Sequence, residues 1–190
     1  MIKKLYIIVL IIIFSSNAFI KAQSDKILLK GECSIENVYQ LTNLLSENSL
    51  IELDISIQTN DFLNFPIIIL CSNEYLKLTE IQIAQLRKNL LNGSLLIVDN
   101  YKSDYTFSIF LKKLLPEYRS TESLFSEIFL VNPYNLNISD DDLKSKQIFI
   151  REKLRVIAFK NKILLNEEDN QSIEFIKSYA TILFNYLIGN

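Results

Sequence analysis

The stretch FPIIILCSNEYLKLTEIQIAQLRKNLLNGSLLIVDN, residues Phe65 to Asn100, decides the fold. It contains two wholly apolar runs, Ile67 to Leu70 and Leu95 to Val98, and such runs are typical of strands that are covered on both faces. Between the runs, apolar residues recur at helical spacing, at Ile83, Leu86 and Leu90. The stretch therefore predicts a strand, a helix and a second strand, which together form one βαβ unit of a parallel sheet.

Both ends of the predicted helix carry recognisable signals. Thr79 is followed three residues later by Gln82, which is the spacing of a capping box. Gly93 follows the last apolar turn, where a left-handed residue commonly ends a helix. We predict that the helix begins at Thr79 and ends before Gly93.

The chain before this unit supplies two further strands and a helix. Lys26 to Lys30 is a short strand candidate, and Ser34 can cap a helix that runs to about Glu47. Leu50 to Ile57 alternates apolar and polar residues, which indicates a half-buried strand near the edge of the sheet. The order to this point is β-α-β-β-α-β.

The chain after this unit continues the α/β pattern. A helix is predicted from Asp104 to Leu115, ended by Pro116 and with an apolar stripe on one side. Gln147 to Ile150 and Leu154 to Phe159 are predicted strands, and Gln171 to Ile188 is an apolar C-terminal helix. No repeat and no Pro/Gly-rich linker divides the sequence, so residues 23–190 are predicted to form a single α/β domain.

The first 22 residues have the organisation of a secretory signal peptide. A short basic start, Met1 to Lys4, precedes the apolar run Leu5 to Phe14, and Ala22 lies at a small-residue cleavage site. The run is shorter than the roughly 20 apolar residues that span a bilayer. We predict export to the periplasm or the exterior with cleavage after Ala22, and retention as an N-terminal membrane anchor is the alternative.

The charge of the mature chain limits its partners. Removal of residues 1–22 takes Lys3, Lys4 and Lys21 from 20 basic residues and leaves 17 against 22 acidic residues, a net charge of −5. A surface of that sign disfavours nucleic acid and anionic lipid as partners. The expected partner is a protein of the cell envelope, and the membrane is involved only if the N-terminal segment is retained.

Two cysteines, Cys33 and Cys71, belong to a chain that is predicted to enter an oxidising compartment. Each follows or ends a predicted strand, and in the common doubly wound order those strands are neighbours. A disulfide is therefore one alternative. Two separate buried thiols are the other, and the sequence alone favours them.

The sequence offers little for catalysis or cofactor binding. It contains no histidine, so a cysteine or serine nucleophile lacks its usual base. Its three glycines cannot form a phosphate-binding loop, and Asp140 to Asp142 lack the spacing of a calcium loop. We expect no catalytic residues, no metal and no cofactor.

The segment Leu86 to Asn100, LRKNLLNGSLLIVDN, resembles the "LRxYLxxGGxLLxDD" motif of the bacterial family catalogued as domain of unknown function 4159. The resemblance extends more weakly over residues 26–188. It departs from the family at Ser94, in place of a second glycine, and at Asn100, in place of a second aspartate. The resemblance implies a divergent member with a three-layer, doubly wound, mostly parallel sheet of the flavodoxin-like, class I glutamine amidotransferase-like type.

In open α/β sheets, ligands bind beyond the carboxyl ends of the strands. The residues predicted at that edge are Ser72, Asn73, Asp99, Asn100 and Tyr101, beside Cys71. A structural role for Asp99 in the turn that it begins is the favoured alternative. The sequence thus favours a non-catalytic binding or scaffold module over a degenerate hydrolase or amidotransferase-like enzyme with a site at these strand ends.

Overall fold

A computed structural model of the chain describes residues 25–48, 53–57, 59, 61–72, 74–101, 103–123, 145–160, 177, 180–183 and 186. The predicted signal peptide, Asn73 and Asp140 to Asp142 lie outside these residues. Among the described residues, no helix is both long and apolar enough to cross a membrane.

Seven strands of the described chain form one sheet. They are β1 (Asp25–Lys30), β2 (Leu53–Ile57), β3 (Ile67–Cys71), β4 (Leu95–Asp99), β5 (Thr121–Ser123), β6 (Ser145–Ile150) and β7 (Lys153–Phe159). Their order across the sheet is β2-β1-β3-β4-β7-β6-β5. The first five strands in this order are parallel, and β6 and β5 are antiparallel to their neighbours. The five parallel strands follow the doubly wound, flavodoxin-like order, which reverses direction between β1 and β3.

Helices cover both faces of the sheet, so the fold has three layers. They are α1 (Ile35–Asn48), α2 (Glu80–Leu91) and α3 (Asp104–Leu114), together with helical residues at 177, 180–183 and 186. α1 and residues 180–183 share one core cluster with the sheet, and α2 and α3 share the other. The predicted three-layer, mostly parallel α/β fold is confirmed.

The predicted ends of the central helix are also confirmed. Thr79 is the N-cap of α2, and its side chain and that of Gln82 form the reciprocal capping box. Gly93 has a φ of 120°, and its N–H donates to the carbonyl of Leu90 at 3.2 Å. That bond satisfies one of the free carbonyls that every helix leaves at its C-terminus.

The crossover from β2 to β3 contains no helix among its described residues, 59 and 61–66. Phe62 is instead fully buried against the core of α2 and α3. Its N–H donates to the side chain of Gln85 at 3.3 Å, and its carbonyl accepts a hydrogen bond from the side chain of Asn89. The buried ring of Phe62 and two amide side chains of α2 thus hold the crossover against α2.

One strand was not expected from the sequence. β5 is short, and its described side chains, Thr121 and Glu122, are exposed, so it has no apolar pattern. It is a strand because it pairs with β6, where Thr121 faces Gln147 and Ser123 faces Ser145. The other edge strand, β2, lies at the edge of the sheet as predicted.

Candidate functional site

The carboxyl ends of β1, β3 and β4 meet at one edge of the sheet. β3 and β4 are in register, so that Cys71 at the end of β3 faces Asp99 at the end of β4. Ser72 follows β3, and Asn100 and Tyr101 follow β4. The described members of the predicted group therefore converge on this edge, because parallel strands in register end together.

A disulfide joins Cys33 to Cys71 at this edge. The sulfur atoms are 2.06 Å apart and the Cα atoms 5.3 Å apart. The structure thus pairs the two cysteines, whereas the sequence alone favoured separate thiols. The bond connects the chain after β1 to the end of β3, which are the two strands between which the strand order reverses. That position is where flavodoxin-like folds usually hold a ligand.

The turn after β1 packs directly against β3. Gly31 has a φ of 101°, and a Cβ atom on it would lie 2.4 Å from the carbonyl oxygen of Cys71 and 3.0 Å from Cβ of Glu74. Real Cβ atoms do not approach other atoms so closely, so the close packing depends on the absence of a side chain. The chain's own backbone therefore occupies the space at the point where the strand order reverses.

The polar residues at the end of β4 are buried, and Ser72 after β3 is half-buried. Asp99 is 0% exposed and Asn100 is 3% exposed. Ser72 and Asn100 both adopt the left-handed conformation, with φ values of 56° and 60°, which is unfavourable for most residues other than glycine. The Nδ2 atom of Asn100 is buried and has no hydrogen-bond partner in the described chain. Unpartnered buried donors are uncommon and require an explanation.

Tyr101 belongs to an aromatic cluster beneath α3. Its ring stacks on Phe107 at a centroid distance of 4.7 Å, and its backbone carbonyl accepts a 2.7 Å hydrogen bond from the hydroxyl of Tyr75. The ring of Tyr75 contacts Phe107 and Phe110 at 5.5 and 5.3 Å. Tyr101 is only 4% exposed, so its ring is part of the core and does not line an open crevice.

A charged cluster lies beside this aromatic cluster, at the N-terminus of α3. The carboxylate of Asp104 is 2.5 Å from Nζ of Lys146 on β6 and 3.7 Å from Nζ of Lys160. Lys146 also lies 3.9 Å from Glu122 and 5.5 Å from the centre of the Tyr101 ring. Negative charge is favourable at the N-terminus of a helix. Because Asp104 also pairs with Lys146 on β6, the cluster connects α3 to the antiparallel end of the sheet.

The cluster changes the acidity of two of its members. The hydrogen bond from Lys146 holds the pKa of the Asp104 carboxyl below its usual value. Burial, followed by the charge of Asp104, raises the pKa of the Tyr101 phenol above its usual value of 10.0. Tyr101 is therefore a neutral hydrogen-bond donor to an ionised Asp104 at physiological pH.

The sequence contains no pattern that predicts this charged cluster. Asp104 was expected only as the start of a helix, and Lys146 lies 42 positions later in the sequence. No spacing rule connects them, since their contact depends on β6 lying beside β7 in the sheet. The sequence does show Asp104 as an acidic residue in the first turn of a predicted helix. It does not show that Lys146 is its partner.

The described residues do not bring metal ligands together. No group of three or more histidine, cysteine, aspartate or glutamate residues lies close enough within them to hold a metal ion. Both cysteines are committed to the disulfide, so neither is a thiol nucleophile in this state. What the edge combines is a disulfide, a buried aspartate and two strained polar residues.

Comparison of the chain with protein-family models, with curated proteins and with solved structures finds no match.

Proposed function

We propose that this chain is an exported, non-catalytic α/β domain that serves as a binding or scaffold module of the cell envelope. Residues 1–22 act as the signal peptide, and residues 23–190 form the exported domain as a divergent member of the domain of unknown function 4159 family. Its partner is an envelope protein, and its binding requires neither a cofactor nor nucleic acid. The anionic charge of the mature chain supports this choice of partner.

One observation carries the proposal, namely that the chain packs closely on itself at the position where this fold usually holds a ligand. The disulfide crosses the point where the strand order reverses, and the turn at Gly31 packs onto the carbonyl of Cys71. Asp99 and Tyr101, which were candidates for lining a crevice, are buried. A filled strand-end edge leaves the outer surfaces of the domain as its means of recognition.

A second candidate function rests on Ser72 and Asn100. Both have left-handed backbones at the ends of neighbouring strands, and strained residues tend to cluster at functional sites. The unpartnered Nδ2 atom of Asn100 is a donor that a small ligand could satisfy. These features favour a degenerate hydrolase or amidotransferase-like enzyme with its site at the carboxyl ends of β3 and β4.

Affinity purification of the exported chain from envelope extract tests the two candidates together. The variants Ser72→Gly and Asn100→Gly remove the polar side chains and keep residues that tolerate a positive φ. The binding-module proposal expects the same specific protein to be retained by the wild type and by both variants. Loss of that protein from a folded glycine variant would move the function to the strand ends. The intact mass of the exported chain shows whether residues 1–22 have been removed.

A further inference from the structure

Two neighbouring helices present apolar side chains to solvent. Ile81 on α2 and Tyr105 on α3 are 73% and 76% exposed. Ile109 lies one turn after Tyr105 on the same side of α3, since residues four apart share a helix face. We define the α2–α3 face by its exposed apolar residues and the lysines beside them. The apolar members are Leu76, Ile81, Leu91, Tyr105 and Ile109, and the lysines are Lys88 and Lys112.

Direct contacts hold the two helices of this face side by side. Nζ of Lys113 on α3 is 3.6 Å from the carboxylate of Glu80 on α2. Arg87 on α2 donates to the carbonyl of Leu114 at 2.9 Å and pairs with Glu117 at 2.5 Å. The short 3-10 turn Glu74–Lys77, which carries Leu76, packs on α3 through Tyr75.

The charge on this face is positive, although the whole chain is negative. The acidic residues of α2, of α3 and of the 3-10 turn are each held in an ion pair, and they are Glu74, Glu80 and Asp104. Lys88 and Lys112 are exposed and form no ion pair within the described residues. Lys88 is seven residues after Ile81, and Lys112 is three after Ile109. Each lysine therefore lies on the same side of its helix as an exposed isoleucine.

We infer that the α2–α3 face binds a segment of a partner protein that presents apolar residues flanked by carboxylates. This inference rests on the proposed binding function and names its surface. Apolar side chains at the centre, beside lysines that form no ion pair among the described residues, are complementary to such a segment. An anionic membrane is a poorer occupant, since the chain without residues 1–22 has 17 basic and 22 acidic residues, a net charge of −5. A second copy that used the same face would bring like-charged lysines together.

Two synthetic peptides test the inference with a defined chemistry. Both are roughly 18 residues long, or five helical turns, and share one leucine stripe, and they carry either glutamates or lysines beside that stripe. Binding to the full-length exported protein is measured by fluorescence anisotropy. We expect the glutamate peptide to bind at least about tenfold more tightly than the lysine peptide. The double variant Lys88→Glu/Lys112→Glu should reverse that preference.

A second pair of variants separates the apolar contribution. Ile81→Asn/Ile109→Asn should weaken binding of the glutamate peptide by about tenfold or more, whereas Tyr39→Asn, at an exposed position of α1, should leave it unchanged. Circular dichroism is used to check that each variant is folded.

Several outcomes would overturn the inference. They are equal binding of the two peptides, binding that ignores both double variants, stronger binding to phosphatidylglycerol vesicles through Ile81 and Ile109, or dimerisation through the same residues. If an envelope protein is retained equally by the wild type and by the Ile81→Asn/Ile109→Asn protein, the binding function stands and this surface is wrong. If no envelope protein is retained at all, the binding function itself fails.

Discussion

The two helix layers of this protein bury similar apolar residues but differ in what they show to solvent and in what holds them. α1 has two glutamates and no lysine or arginine in its sequence, and Tyr39 is its exposed large apolar residue among the described side chains. α2 and α3 each have two basic residues and one acidic residue, and expose several apolar side chains. The disulfide packs with the α1 core, whereas α3 is fastened by an ion pair. The two layers are therefore similar in what they bury. They differ in their outer surfaces and in the disulfide or ion pair that connects them to the sheet.

The largest expected effect tests whether the buried residues of the two layers contribute similarly to the free energy of unfolding. Phe107 of α3 and Leu41 of α1 are both fully buried. Phe107→Ala should lower the free energy of unfolding by about 3 to 5 kcal/mol, and Leu41→Ala by about 2 to 5 kcal/mol. Urea unfolding followed by circular dichroism measures both. If the free energy of unfolding falls by less than about 1 kcal/mol in one variant, the two layers do not contribute similarly to stability.

Removal of the disulfide tests the fastening of the α1 layer. The bond closes a loop with a sequence separation of 38, and loop-closure entropy for that length is worth about 4 kcal/mol. Cys33→Ala/Cys71→Ala should therefore lower the free energy of unfolding by about 3 to 4 kcal/mol. The wild type with a reductant is the matched control, since it keeps both sulfur atoms. An unchanged unfolding midpoint in both samples would show that the bond does not support this layer.

The smallest expected effect concerns the ion pair of the other layer. The pKa of Asp104 is lowered in the folded state, so its contribution is present above the unfolded pKa of about 4 and is lost as the pH falls through the folded value. The side chain is 54% exposed, so solvent screening limits the effect to less than about 1 kcal/mol.

The variant Asp104→Asn should accordingly destabilise the protein slightly at pH 7 and less at pH 2. Urea midpoints at the two pH values measure the difference from the wild type. Glu36→Gln removes one carboxylate from α1 as a matched control. An equal loss for Asp104→Asn at both pH values would mean that the side chain acts through packing and not through its charge.

The comparison also shows which features the sequence could reveal. β3, α2 and β4 were predictable because their signals are local, in two apolar runs, a capping box at Thr79 and a glycine at position 93. β5 was not, since Thr121 to Ser123 form a strand only by pairing with β6. The sequence leaves the disulfide as one of two alternatives, because the pairing depends on the distance between two strand ends, which no local pattern contains.

The candidate site divides in the same way. Convergence of Ser72, Asp99 and Asn100 at one edge followed from the shared direction of β3 and β4. The burial of Asp99 and Asn100 did not, because it depends on the elements that pack around the end of β4. Tyr101 follows β4 at the predicted edge, but Phe107, which stacks on its ring, belongs to α3, and Tyr75 of the 3-10 turn bonds its backbone carbonyl. Contacts between elements that are distant in the sequence are the part of a site that is hardest to predict from one sequence.

Gly31 sets a rule for which other sequences can share this architecture. A relative that keeps both cysteines and the same approach of the two strands must also keep a residue without a side chain two positions before the first cysteine, because any Cβ there would collide with the carbonyl of Cys71. The signature is therefore a Gly-x-Cys tripeptide after the first strand and a wholly apolar strand that ends in the second cysteine. Because the obstructing atom belongs to the backbone of residue 71, the glycine is required wherever the two strands approach this closely, whichever side chain stands at position 71.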